Sequence, residues 1–327
     1  MPKKTNLLGL VAIIAAVTAF GLYSQDIYLI QVGTYAGIYS IVAIGLNLLL
    51  GTAGQISLGH SAFFAVGAYT STILLLYTPL PFTFTIFASA IVAGVFGLII
   101  GYIALRLKGH YLAMATLAFG LIVYSLLREI QFLDGGAGHV GIPSLSVFGW
   151  DLSDYKASYY FVWAIAAVVY LLTLSLLHSR VGRALKAIRE DDIAANAMGV
   201  PVASYKIRVF TLSAIYAGVA GAIYASYLGS VIFNSFDAFV SVNFLMMVVL
   251  GGLGSIPGAV LGAVILTFLP ELGRAWEDYR LTSYGLLLIL LVIFLPKGLV
   301  DLFAWFNRAE PRSIRPKPDT AGRVVEN

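Results

Sequence analysis

The stretch His178-Ser179-Arg180-Val181-Gly182-Arg183-Ala184-Leu185-Lys186-Ala187-Ile188-Arg189-Glu190-Asp191-Asp192, running on through Ile193 to Gly199, Pro201 and Arg208, decides how this chain is read. It carries six basic residues (Arg180, Arg183, Lys186, Arg189, Lys206, Arg208) and three consecutive acids, between long apolar segments almost free of charge. Val181, Leu185, Ile188 and Ala195 form an apolar stripe at helical spacing, with the charges on other faces. Gly199 and Pro201 supply a stop signal. The spacing predicts one short amphipathic helical element lying outside a membrane and available to a partner. A basic loop resting on anionic headgroups and fixing orientation explains the same residues.

Outward from this stretch the chain is apolar. Of 327 residues, 60% are hydrophobic and 11% charged, with a mean hydropathy of +0.91. Soluble domains carry about 25% charged residues, so an integral membrane protein is expected and a soluble enzyme is excluded. The net charge of +4 is no nucleic-acid signal, because the basic residues cluster between apolar runs. The chain has no Cys, which removes disulfides and thiolate metal sites. The four histidines, His60, His110, His139 and His178, show no metal-ligand spacing.

Apolar runs occur at about 7–23, 29–50, 60–77, 82–105, 111–131, 158–177, 207–229, 239–252, 257–272 and 281–295. A bilayer needs ~20 helical residues per crossing. The expected fold is therefore an all-α polytopic bundle of about ten transmembrane helices, the eighth and ninth short enough to be half-spans. Lys3 and Lys4 before the first run resemble a secretory signal; it is read as an uncleaved first span. With the N-terminus inside and alternating spans, only Arg128, Lys156, Arg274 and Arg280 of the 20 Lys and Arg fall outside. That bias places both termini and the 178–208 loop in the cytoplasm. The expected organisation is one permease-like membrane domain over 1–308 and a disordered tail over 309–327. The longest outer connection, 132–157, has four glycines between Asp134 and Pro143 and reads as a shaped loop.

Two uncharged boundaries share the pattern G-x-x-G-[Q/S]-I: Gly51-Thr52-Ala53-Gly54-Gln55-Ile56 and Gly251-Gly252-Leu253-Gly254-Ser255-Ile256. Glycines break helices here, and the freed backbone groups need protein or water partners. Interrupted helices of this kind line substrate routes in transporters; ordinary tight turns are the plainer reading. Asn47, Gln55, Ser57 and Ser255 are the polar groups nearby, and Asn47 equally suits an interhelical hydrogen bond. Small residues recur at i+4 in the seventh run (Ala217, Gly221, Ala225, Gly229), in the fourth (Gly97, Gly101) and in the ninth (Gly258, Gly262), a pattern for close helix packing.

No run holds Asp, Glu, Lys or Arg in its interior, which counts against an ion-coupled carrier. There is no Gly-Lys dipeptide for a phosphate loop and no clustered acid–base set for chemistry. A translocation subunit energised by another polypeptide through 178–208 leads, ahead of a stand-alone carrier or channel and a membrane enzyme.

Several blocks together resemble the LivM-type permease subunits of branched-chain amino acid ABC importers. They are Gly45-Leu46-Asn47-Leu48 with Gly51 to Gly59; Gly135-Gly136 to Ile142-Pro143; Gly182-Arg183-Ala184 with Ala187 to Asp191 and Ala194-Ala195 to Gly199; Val249 to Ser255; and Pro296-Lys297-Gly298-Leu299. The resemblance implies an importer in the bacterial inner membrane with a second homologous permease, two ATP-binding subunits and a periplasmic binding protein. ATP-Mg would be held by the partner, with no catalytic residue, cofactor or metal in this chain. It implies ATPase-coupling roles for Arg183, Lys186, Arg189, Glu190, Asp191, Asp192, Ala194, Ala195 and Gly199. The coupling pattern acid-Ala-Ala-x-x-x-Gly is interrupted here by Ile193. Asn47, Gly51, Gly54, Gln55, Ser57, Gly251, Gly252, Gly254 and Ser255 are the translocation-path candidates. Gly135, Gly136, His139 and Pro143 are candidates for facing the binding protein, although Asp134 and Gly138-His139 stand where family members often have Thr and Asp-Gly. Urea and amide ABC importers use related permeases, so the resemblance leaves that alternative open.

Overall fold

The structure is a computed structural model that describes residues 2–104, 107, 109–147, 150–272 and 285. Apart from residue 285, the expected tenth run at 281–295 lies outside those residues, as do the Pro296–Leu299 block, Arg106, Lys108, Arg274, Arg280 and the 309–327 tail. Among the described residues eleven α-helices follow one another: α1 (Pro2–Tyr23), α2 (Ile27–Ala53), α3 (His60–Tyr77), α4 (Phe82–Ala104), α5 (His110–Glu129), α6 (Tyr155–His178), α7 (Arg180–Glu190), α8 (Asp192–Ala197), α9 (Val202–Leu228), α10 (Ala238–Gly251) and α11 (Ile256–Leu272). Nine of the ten apolar runs are thus helices. Seven segments are long and apolar enough to cross a membrane, and α1 and α11 contribute shorter apolar stretches. As expected, α10 and α11 are short; their 14 and 17 residues rise only ~21 and ~26 Å. The fold is helical as expected; among the described residues four two-residue strands also occur, in the α5–α6 and α9–α10 connections.

Local chemistry sets the helix ends. Asp26, Asp154 and Asp237 cap α2, α6 and α10 by accepting from Tyr28 N, Ala157 N and Val240 N. Gly54 and Gly229 end α2 and α9 in the left-handed conformation, at φ +66° and +71°.

α2 is the buried axis of the bundle, flanked by α6, α9 and α11. Against α6, its Gly33 and Gly37 leave room for aromatic side chains, and Trp163 Nε1 donates to Gly33 O at 3.1 Å. The small-residue rows do what their spacing predicts. A Cβ at Gly221 of α9 would lie 1.9 Å from Phe64 O of α3, and one at Gly67 of α3 would lie 2.0 Å from Gly218 O. Gly97 of α4 meets the Ala214 methyl of α9, and Gly262 of α11 meets Met247 O of α10. Backbone-to-backbone contact of this kind holds apolar helices together where burial from water gives no drive.

The α5–α6 connection folds back onto the bundle. β1 (His139–Val140) pairs antiparallel with β4 (Ser230–Val231), and β2 (Ser146–Val147) pairs with β3 (Trp150–Asp151). Asp134, only 4% exposed, is its hub. Its carboxylate accepts from Tyr69 OH of α3, from Gly138 N at 2.6 Å and from Phe233 N at 2.7 Å. Gly135, Gly136, Gly138 and Gly141 all take positive φ, as the tight turns require.

Candidate functional site

At the first glycine boundary the chain does not simply turn. α2 ends at Ala53, yet α3 starts deep in the bundle. His60 Nε2 lies 2.7 Å from Ser213 Oγ of α9, and Ser213 Oγ lies 3.3 Å from where a Cβ on Gly45 would sit. Gly45 is some two turns, ~12 Å, before the end of α2. Residues 54–59 therefore climb back into the protein as non-helical backbone. Leu58 N finds Thr116 Oγ1 of α5 at 3.0 Å, and Ser57 Oγ lies 3.0 Å from His60 Nδ1. Ser241 Oγ of α10 donates to Ser61 Oγ at 2.7 Å and accepts from Ser61 N. Irregular backbone at such depth persists only where protein or water satisfies it, and here hydroxyls from α5 and α10 do so. Gln55 is 5% exposed, and its Oε1 meets no hydrogen-bond donor among the described residues.

The second boundary is a tight turn between α10 and α11, with Gly252 and Gly254 at φ +110° and +84°. The two boundaries meet. A Cβ on Gly51 would lie 2.3 Å from Gly254 N. Asn47 reaches across, accepting from Gly254 N at 2.8 Å and donating to Ser255 O at 2.6 Å. Of the path candidates, Asn47, Gly51, Gly254 and Ser255 are thus in direct contact, with Gly251 and Gly252 in the same turn. Gln55 and Ser57 continue the climbing segment.

The charged element between α6 and α9 differs from the sequence expectation in three ways. It is two helices, not one, because Asp191 leaves helical geometry (φ −156°, ψ 111°). Its side chain accepts from Ile193 N at 2.7 Å and Ala194 N at 3.0 Å, capping α8. The amides of Ala194 and Ile193 hold the Asp191 carboxyl below its ordinary range. An N-cap Asp inside an acidic run was the readable signal.

Second, Lys186 and Glu190, whose i, i+4 spacing predicts a bracing ion pair, form none among the described residues; Lys206 of α9 pairs instead with Asp192. Third, the apolar stripe faces the protein's own bundle. Leu185, Ile188 and Ala195 are buried, so Ala195 is not free for a partner's groove. Ile193 and Met198, at 77% and 85% exposed, project outward instead. Ala194, Arg183, Lys186, Glu190 and Asp192 lie on the outer faces or rims of the two helices. Gly199 ends α8 as expected: at φ +81° it donates to Asn196 O while Val200 N donates to Ala195 O, the paired bonds of a left-handed helix stop.

Arg189 is exposed, yet its Nη1 reaches the end of α2 and donates to Gly51 O. It borders a polar cavity of about 220 Å³ together with Gln55, Glu190, Asp191, Asp192 and Lys206. On the α5–α6 connection, Gly135, Gly136 and Pro143 are exposed, while His139 is half-buried with its ring edge-on to Tyr69.

Buried helices with backbone-close packing and charges kept near helix ends define a multi-pass membrane protein. The chain belongs to the family described as branched-chain amino acid transport system / permease component, which matches residues 28–295. It is 35% identical over 297 residues to the high-affinity branched-chain amino acid transport system permease protein LivM of Salmonella typhimurium, covering 84% of this chain and 70% of that one. Identity to LivM of Escherichia coli is 34% over the same shares. The high-affinity branched-chain amino acid transport system permease protein LivH of Salmonella typhimurium is 26% identical over 82% of this chain and 92% of its own length. No solved structure matches the chain.

Proposed function

We propose that this chain is the membrane-spanning permease subunit of an ATP-driven importer in the bacterial inner membrane, passing branched-chain or related small amino acids inward. It crosses about ten times with both termini cytoplasmic. It assembles with a second homologous permease, two ATP-binding subunits that hold ATP-Mg, and a periplasmic binding protein that meets the Gly135–Pro143 loop. The chain itself catalyses nothing. The observation that carries this reading is the α7–α8 element: a charged structure outside the apolar spans, bonded by its inner face to the junction of two broken helices. A stand-alone carrier has no use for such a lever.

In this reading α8 docks in the ATP-binding subunit through Ile193 and Met198, and the rim charges Arg183, Lys186, Glu190 and Asp192 orient it. The glycine junctions at 51–59 and 251–255 border the route. The test is reconstitution in liposomes. The full complex takes up branched-chain amino acid on ATP addition, whereas the chain alone neither hydrolyses ATP nor concentrates substrate. Burying a carboxylate in an apolar groove costs several kcal/mol, so Met198→Asp abolishes binding-protein-stimulated hydrolysis while the permease still inserts. Robust uptake by the lone chain overturns the proposal.

A further inference from the structure

Arg189 stands apart from the other charges of the α7–α8 element. Arg183, Lys186 and Arg189 are all exposed on α7, but among the described residues only the Arg189 guanidinium of these three makes a hydrogen bond to the bundle, reaching the carbonyl of Gly51 at the end of α2. That carbonyl also lies against the second junction: a Cβ on Gly254 would sit 3.1 Å from Gly51 O and 3.3 Å from Arg189 Nη1. Gly254 is in turn tied to α2 through Asn47. One cation therefore touches both broken-helix junctions at the point where they meet, and it is carried by the helix that leads directly into α8.

We propose that Arg189 is a positioning residue, a latch that conveys movement of α7–α8 to the paired glycine junctions rather than a charge that docks the ATPase. The inference rests on the reading of this chain as an ATP-driven permease. Gly51 O lies in the last turn of α2, where carbonyls lack helical partners and attract cations. Arg189 supplies the partner, so the end of α2 follows α7. A rigid-body shift of α7 then pulls on α2 at Gly51, and through Gly254 and Asn47 on the α10–α11 turn. The two segments with the least regular backbone move together. Arg183, on the outer face of the same helix, has no such reach and acts only on docking.

The test is the number of ATP molecules hydrolysed per amino acid imported by the reconstituted complex. Loss of a charge-assisted hydrogen bond is a factor of about ten or more. Arg189→Gln therefore raises ATP consumed per substrate about tenfold, with complex assembly and hydrolysis retained. Arg189→Lys, which can still donate to Gly51 O, restores most of the ratio. Arg183→Gln lowers hydrolysis and uptake together and leaves their ratio unchanged. An unchanged ratio in Arg189→Gln overturns the latch, and so does loss of ATPase subunits from the Arg189→Gln complex, which would make Arg189 a docking charge. Failure of the wild-type complex to couple uptake to hydrolysis would instead remove the importer reading itself.

Discussion

The junctions at 51–59 and 251–255 share a sequence pattern, sit against each other and still solve different problems. In both, one glycine exists to let backbone touch backbone: Gly51 against Gly254 N, and Gly251 against Gly258 O at 2.1 Å from a built Cβ. Beyond that they diverge. The second is a turn of four residues whose glycines supply positive φ, and its polar needs are met by its own Ser255 and by Asn47 from α2. The first carries the chain back into the protein and is fastened to α5, α9 and α10 through Thr116, Ser213 and Ser241. The shared pattern thus encodes a common contact. It does not encode a common path for the chain.

Glycine replacements test the common part and have the largest expected effects. Gly51→Val and Gly251→Val each force a branched side chain into backbone atoms of the facing segment. Overpacking of flexible neighbours costs about 1–3 kcal/mol, and backbone cannot yield as side chains do. Both variants should fail to accumulate as folded protein, seen as loss of a monodisperse peak in detergent. A well-behaved Gly251→Val beside a lost Gly51→Val would show that only the first junction is tightly packed.

His60→Ala tests what separates them. The ring is 1% exposed and links Ser57 on the climbing segment to Ser213 on α9. Its removal leaves both hydroxyls without that partner, at about 1–3 kcal/mol each. The second junction has no equivalent residue. Ser255→Ala there removes only the cap that accepts from Gly258 N at 3.2 Å, about 1 kcal/mol. The thermal midpoint of purified protein should therefore fall clearly more for His60→Ala than for Ser255→Ala. Equal shifts would mean that the climbing segment is held by packing alone.

Much of this architecture is legible in the chain because it is local. Apolar runs give nine helices, i+4 small residues give the α3–α4–α9 contacts, and Gly199 gives a helix stop. What stays hidden depends on partners far away in sequence. Nothing near His60 announces Ser213, and nothing near Gly51 announces Gly254 or Arg189. The helical period of 180–199 correctly marks a stripe at Leu185, Ile188 and Ala195. Period alone, however, does not say whether a stripe meets a partner or the protein's own bundle. Here it meets the bundle, and the outward apolar residues are Ile193, which breaks the expected acid-Ala-Ala pattern, and Met198.

The smallest effect comes from the left-handed glycines, and it sharpens the comparison further. Gly54 and Gly254 occupy equivalent places in the shared pattern and both have positive φ, +66° and +84°. An alanine in that region costs about 1–2 kcal/mol from its Cβ clashing with its own backbone. At Gly54 nothing else opposes it, because the nearest foreign atom is Arg189 Cγ at 3.7 Å. At Gly254 the same methyl meets Gly51 O at 3.1 Å and the Arg189 guanidinium at 3.3 Å. Those are the groups that join the junctions to α7, so the alanine pushes them apart. Gly54→Ala should lower the thermal midpoint slightly, and Gly54→Asn should lower it less, since Asn enters this region more readily. Gly254→Ala should lower it more and also raise ATP consumed per substrate, as Arg189→Gln does. Equal midpoints for the two alanines, with unchanged coupling at Gly254, would leave the pair as two conformational caps and deny the second junction its tie to α7.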